Sequence, residues 1–426
     1  MDFTQEAYAD IGGYYGHSQP GVGTPLYRQV DQTVIASQER LQRRRDRTRE
    51  NQRYRRKKIA EKLSNKLAGT PGDVEFQRQI KKWRVRNGSH RRRSSGSIFN
   101  KMCKDINGIR VFVRKRPISK KEIKRKDYDV TSVDKGTNAV VHAPKLLVDG
   151  ITKVLSNQTF PLDGAFDVNV KNDTVFKVVA RPLFDEILKH GGNAMCFAFG
   201  QTGSGKTHTI TGIQDYLVQH VFDFLNGRPD MTLQLSYYEI YGNRVFDLLN
   251  KGNEVHVRED ARKNIVRVRG IVYRKVGTED DFIQYLKNAS KARVTKATRN
   301  NATSSRSHAV AQLQFIRRDP GGGNGSLFGR FTLVDLAGSE RHDDSKQHSS
   351  ELQLESAAIN TSLLALKECI RCIGSKAKPE RVPYRSSKLT MILKDCFVDE
   401  KLKVSVIATI SPSASNSEHT VNTLKY

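Results

Sequence analysis

The chain has 426 residues and a formal net charge of +28, enough length to bury a full core and a surface basic enough to attract polyanions: nucleic acid, anionic lipid or an acidic protein polymer. No apolar run reaches the roughly 18 residues that a membrane-spanning helix needs, and the acidic start MDFTQEAYAD lacks the apolar stretch of a signal peptide. The 5 cysteines are sparse and odd in number, which suits a reducing compartment better than a disulfide framework.

Residues 1–30, rich in Gly, Tyr, Gln and Pro, read as a disordered arm. From 31 to 67 there is no Pro or Gly, helix formers dominate, and Gly69 with Pro71 supplies a stop. The apolar positions Val34, Ile35, Leu41, Ile59, Leu63 and Leu67 are too sparse for a firm coiled coil, so this segment reads as a long solvated basic helix. Between 38 and 100 about 21 Lys and Arg stand against about 6 Asp and Glu, roughly half the net charge in a seventh of the chain. Within that stretch Phe76, Ile80 and Trp83 recur at i, i+4 and i+7, which puts one apolar face on a short basic helix. HRRRSSGS at 90–97 reads as a flexible linker, so 31–106 is a basic helical neck and linker.

Near Asn107 the pattern changes. Residues 109–113 (IRVFV) alternate, and 194–199 (AMCFAF) form an apolar run that ends at a Gly loop. The stretches 233–240, 309–315, 330–336 and 403–410 also read as strands, with helices at 174–188, 279–289 and 352–372. Strands alternating with helices predict an α/β domain over 107–426 with a largely buried sheet.

GQTGSGKT at 200–207 follows the apolar strand and can open a helix. In that setting backbone N–H groups cradle phosphates, Lys206 reaches the β/γ oxygens and the Thr207 hydroxyl ligates Mg²⁺. A carboxylate for the metal comes from Asp335, which ends the apolar strand FTLVD at 331–335, and Gly338 follows where a γ-phosphate can approach a backbone N–H. NATSSRSH at 301–308 is a polar cluster before a strand, with hydroxyls able to hold the γ-phosphate and the metal's waters; alone, a Ser-rich turn is usually only a turn.

These pieces, in this order, resemble the kinesin motor domain over about 107–426. GQTGSGKT is similar to its P-loop, NATSSRSH to switch I, DLAGSE at 335–340 to switch II, and RKRP at 114–117 to the element that packs against adenine. The resemblance implies a P-loop NTPase with the kinesin motor fold: a central, mostly buried mixed β-sheet with helices on both faces, preceded by the basic helical neck. It implies an ATPase using ATP and Mg²⁺, with nucleotide contacts from Arg114, Arg116, Pro117, Gln201, Thr202, Gly203, Ser204, Gly205, Lys206, Thr207 and His208. Thr207, Ser305 and, through water, Asp335 would serve the metal. Ser304 and Ser305 would close over the γ-phosphate, Gly338 would sense it, and Arg306 and Glu340 would pair when ATP is bound, ordering the attacking water.

Three features resemble the kinesin-13 class, whose members depolymerise microtubules. EFQRQIKKWR at 75–84 is similar to its neck, Lys367-Glu368-Cys369 to a motif on the helix facing tubulin, and HAPKLLVDGITKVLSN at 142–157 to its extended second loop. The loop's usual Lys-Val-Asp tip reads Leu147-Val148-Asp149 here, leaving Lys145 or Lys153 to compensate. Tubulin contacts are thereby implied for Val148, Asp149, Lys367, Glu368, Cys369, Arg371, Arg385 and Lys388, with Lys376, Lys378, Arg381, Arg244 and 258–263 completing a basic face toward an acidic polymer. Cys369 and Cys372 have C-x-x-C spacing but no partner pair, and read as one buried and one partly exposed Cys on a helix.

The reading is an ATP-dependent microtubule depolymerase that binds microtubules and curved tubulin ends, on the cytoskeleton of spindle or flagellar and ciliary tips, with nuclear import open. A translocating kinesin is the alternative; Tyr426 falls within what resembles the last motor helix, with no neck linker after it. A nucleic-acid-dependent NTPase is disfavoured because 38–100 offers few aromatics among its basic residues, and an inactive scaffold because Lys206, Thr207, Asp335, Arg306 and Glu340 are intact. No membrane partner is expected, and a homodimer would form through regions outside this chain. Ser94 and Ser95 follow three arginines, a basophilic kinase context in which phosphate would cut the neck's charge.

Overall fold

Side chains alternate across a strand, so strands that are apolar on both sides demand cover on both faces. The computed structural model describes residues 26–67, 73–88, 108–146, 153–260, 265–299, 305–319, 325–340, 350–374, 382–399 and 401–426. Its strands are β1 (Ile109–Lys115), β2 (Thr131–Asp134), β3 (Asn138–Leu146), β4 (Lys153–Pro161), β5 (Gly164–Phe166), β6 (Gly192–Phe199), β7 (Met231–Tyr241), β8 (Arg244–Asp247), β9 (Asn253–Asp260), β10 (Ile265–Arg269), β11 (Arg274–Val276), β12 (His308–Arg317), β13 (Ser326–Asp335) and β14 (Lys403–Ile410). An 11-stranded sheet runs β10-β9-β8-β7-β12-β13-β6-β14-β1-β5, with β11 beside β7, while β2, β3 and β4 form a separate 3-stranded sheet. From β13 through β6, β14 and β1 to β5 the pairing is parallel; β12 pairs antiparallel with both β13 and β7. The sheet is mixed, as the motor resemblance implies.

Alternation divides the core in two. Along β6, Ala194 and Cys196 join the cluster built with helices Arg181–His190, Lys206–Leu225 and Glu279–Arg299. Met195, Phe197 and Phe199 join the opposite cluster with helix Ser350–Gly374. The helix expected at 174–188 is present as Asn172–Val175, a π-helical turn Phe176–Ala180, and Arg181–His190 with a proline in its first turn. Pro182 has no N–H to give the carbonyl four residues back, which accounts for the widened turn ahead of it.

The chain divides into two units, Met1–Leu63 and Ser64–Tyr426. The first carries most of the helix Leu26–Leu67, which starts inside the stretch expected to be a disordered arm; Pro25 just before it is a residue that starts helices well. Its 14 Lys and Arg against 5 Asp and Glu repel rather than pack, and its described side chains are almost all exposed.

In the second unit the neck helix Val74–Arg86 is capped by Asp73, whose side chain accepts from the Glu75 and Phe76 amides at 3.0 and 3.3 Å. Its expected apolar stripe faces the motor: Phe76 and Ile80 are buried, and Trp83 lies edge-on to His142 with ring centroids 4.6 Å apart. Among the described residues no helix is long and apolar enough to cross a membrane.

Candidate nucleotide site and tubulin face

In a parallel sheet the strands deliver their carboxyl ends to one edge, where ligands bind. Asp335, last in β13, pairs with Ala198 of β6, so the carboxylate and the loop after Phe199 arrive together. Because β12 runs antiparallel, its first residues, His308 and Ala309, stand at the same edge, Ala309 opposite Asp335. Lys115 ends β1 opposite Ile410, which brings Arg114 and Arg116 to that edge too. Four motifs scattered over 114–340 thus meet through strand direction alone.

The loop at 200–205 needs glycine. Gly200, Gly203 and Gly205 take φ of 149°, 72° and 107°, and a Cβ on Gly200 would come within 2.3 Å of the Thr409 carbonyl. Ser204 Oγ is buried between Gln201 O and Thr409 Oγ1, both at 2.7 Å. Lys206 opens the helix Lys206–Leu225 and turns back on the loop, donating to Gly200 O at 2.8 Å and Gln201 O at 2.9 Å. Burial pushes its ammonium down to about 8 against the pull of Asp335 and Glu340. Thr202, Thr207 and His208 are exposed at the loop and first turn.

Arg116 spends all its donors locally. Its Nε gives to Gly203 O at 2.7 Å, and its two Nη atoms serve Pro117 O, both Glu122 oxygens and Ser411 Oγ. It is a clamp on the flank of the phosphate loop, with exposed Pro117 beside it. Arg114 reaches Thr209 Oγ1 at 3.0 Å, and burial lowers its pKa.

At the metal position Thr207 donates to Asp335 Oδ2 at 2.7 Å. Asp335 Oδ1 is buried without a partner. An orphaned carboxylate oxygen beside a hydroxyl is a hard-oxygen donor set that fits Mg²⁺. Sequence reasoning missed the third member: Arg293, nearly buried, donates to Asp335 Oδ2 at 2.6 Å and to Ser307 O at 3.1 Å. The helix read as ending at 289 continues to Arg299, and a lone Arg in so basic a chain gave no signal.

The switch pair expected with ATP is not made in this structure. Arg306 pairs instead with Glu355, 3.3 Å away, and Glu340 accepts from the Thr202 amide at 2.7 Å and from its hydroxyl. Gly338 N–H, the expected phosphate sensor, donates to Ser305 O at 2.7 Å. A Cβ there would lie 2.4 Å from Thr202 Oγ1, so any side chain would push Thr202 and Glu340 aside. Burial drives His308 down to about 3, so its ring is neutral. Its Nδ1 accepts from Ala337 N–H at 3.1 Å, which leaves Nε2–H to donate to Ser362 Oγ at 2.7 Å. Ser304 lies outside the described residues.

The basic face is more neutralised than its sequence implies. Arg371 pairs with Glu368 at 3.1 Å, Arg244 with Glu254 at 2.5 Å and Arg385 with Glu259 at 2.9 Å. Glu259 also holds the buried Lys394, at 3.1 Å, and the two cations keep its carboxyl down at about 2. The tubulin contact implied for Cys369 is corrected: Cys369 is fully buried against the sheet and burial raises its thiol to about 12, so it anchors the helix from behind. Lys367 is half-buried, 4.9 Å from the centre of the Tyr426 ring. Lys388 starts the helix Lys388–Ile392 behind a Ser387/Thr390 capping box. Cys369 is buried and Cys372 partly exposed on the same helix, as their spacing implied. Val148, Asp149, Lys376, Lys378, Arg381, Ser94 and Ser95 lie outside the described residues.

Comparison with known proteins matches residues 114–426 to the family described as the kinesin motor domain. The chain is 40% identical over 399 residues to "Diatom spindle kinesin-1" of Cylindrotheca fusiformis, a match covering 93% of this chain and 62% of that protein. The chain therefore spans less than two thirds of that relative's length, and the similarity extends beyond the motor into the neck. A solved structure entitled as that of a fast kinesin, with implications for ATPase mechanism and interactions with microtubules, matches with a TM-score of 0.64 at 30% identity, covering 75% of this chain and 90% of that chain.

Proposed function

The chain belongs to the kinesin motor family, and from that premise we propose that its motor uses ATP hydrolysis to remove tubulin from microtubule ends, as in the kinesin-13 class. Kinesin motor domains bind ATP with Mg²⁺, hydrolyse it under microtubule stimulation and associate with the microtubule cytoskeleton; this domain shares those properties. The finer reading is carried by one observation: the neck helix Val74–Arg86, similar to the class neck, is docked on the strands leading to the loop similar to the class's second loop. The similarity to a spindle kinesin reaches into the same neck and favours a spindle setting.

For the chemistry, the loop amides and Lys206 take the phosphates. Thr207, Ser305 and, through water, Asp335 would hold Mg²⁺, which would supply positive charge for phosphoryl transfer. Glu340 occupies the Thr202 N–H that an incoming phosphate needs. An anion of higher charge displaces it, freeing Glu340 to meet Arg306 once Arg306 leaves Glu355. That exchange orders the attacking water. Glu355 and Ser362 both belong to the helix Ser350–Gly374, so rearrangement at Arg306 and His308 reaches the tubulin-facing helix directly. The test is to add the full chain with ATP to stabilised microtubules. Shortening from the ends is expected; constant polymer length with ATPase intact sinks the reading.

A further inference from the structure

The β3–β4 hairpin outgrows its own sheet. β2 pairs with β3 from Asn138 as far as Val141, which stands opposite Thr131. From His142↔Asn157 to Leu146↔Lys153 the ribbon has two strands, and a two-stranded ribbon alone in water is marginally stable. The neck helix supplies the missing cover. Lys153, the first residue of β4, has a side chain only 7% exposed and donates to Asp73 at 2.7 Å, with Glu75 at 3.7 Å. Its carbonyl accepts from Gln79 Nε2 at 3.0 Å, and its ammonium lies 5.5 Å from the centre of the Phe76 ring. On the other arm Trp83 covers His142, which bonds Asn157 across the ribbon at 2.7 Å and Ser132 at 2.8 Å. Arg84 finishes the attachment on β2, donating to Ser132 Oγ at 2.9 Å and Thr131 O at 2.8 Å.

We propose that the neck helix is a splint for this hairpin, with Lys153 and Trp83 as positioning residues that fix the angle at which the ribbon meets tubulin. The consequence for tubulin rests on the depolymerase reading; the splint itself does not. Lys153 is thereby committed to the neck, which leaves Lys145 as the exposed cation of the arms.

Full-length Lys153→Ala, Lys153→Arg and Trp83→Ala variants test this by amide hydrogen exchange in β4 and by ATPase kinetics with microtubule ends. For Lys153→Ala and Trp83→Ala, exchange over 153–157 should quicken, and the KM for microtubule ends should rise roughly tenfold or more while basal turnover holds, because a misplaced contact costs rate at a distance. Lys153→Arg keeps the ion pair and should restore both. Unchanged exchange in the alanine variants overturns the splint, as does faster exchange that Lys153→Arg fails to correct. If the unmodified protein does not shorten microtubules, the depolymerase reading fails, and exchange in β4 still decides the splint.

Discussion

Asp335 serves two cationic claims at once. It accepts from Thr207 at the position proposed for the metal, and it is the nearest counter-charge of Arg293, whose side chain is only 8% exposed. Glu239 stands farther off, at 3.6 Å. Asp335→Asn should therefore abolish most ATP turnover and also destabilise the motor by about 3 kcal/mol, because it removes the nearer of the two carboxylates that balance a buried guanidinium. Thr207→Ala should cost turnover without that loss. Urea denaturation beside basal ATPase separates the two, and equal stability of both variants would remove Arg293 from the account. Asp335 and Thr207 were legible because each ends or starts a recognisable pattern; Arg293 was not, because its significance is a distance and not a spacing.

At the scale of elements, the neck helix was readable as one apolar stripe, Phe76, Ile80 and Trp83, on a basic background. What it packs against was not readable, since amphipathicity names a face and never its partner. Ile80 is 2% exposed. Ile80→Ala should weaken docking by about 2–4 kcal/mol, enough to make the basic residues of 78–86 cleavable by trypsin while the motor's thermal midpoint stays put. Resistance equal to the parent protein would argue that polar contacts alone hold the helix. The π-helical turn at Phe176–Ala180 makes the same point in reverse: the helix read at 174–188 carried no expected break, and the helix on both sides of the turn is decided by packing against the sheet.

Across the whole molecule the charge is unevenly placed and unevenly free. Arg244, Arg371 and Arg385 are paired on the motor. The helix Leu26–Leu67 carries 14 Lys and Arg against 5 Asp and Glu. Attraction to an acidic polymer should therefore depend on this helix and be screened by salt over about 10 Å at 0.1 M ionic strength. Removing residues 1–67 should weaken microtubule cosedimentation at low salt, flatten its salt dependence, and leave basal ATPase intact, because the helix belongs largely to a separate unit. Undiminished salt dependence would place the attraction on the motor itself.

The sequence by itself determined the phosphate loop, both switch motifs, the alternating β and α segments and the basic neck, because each is written in contiguous residues whose spacing carries its chemistry. The tertiary structure alone decided that strand direction gathers those motifs at one edge, and that Arg116 clamps the loop. It alone turned Cys369 inward and placed Arg306 on Glu355. The neck shows the division most plainly: its helix is local, while its attachment to a ribbon some 75 residues later is long-range pairing that no local pattern can encode.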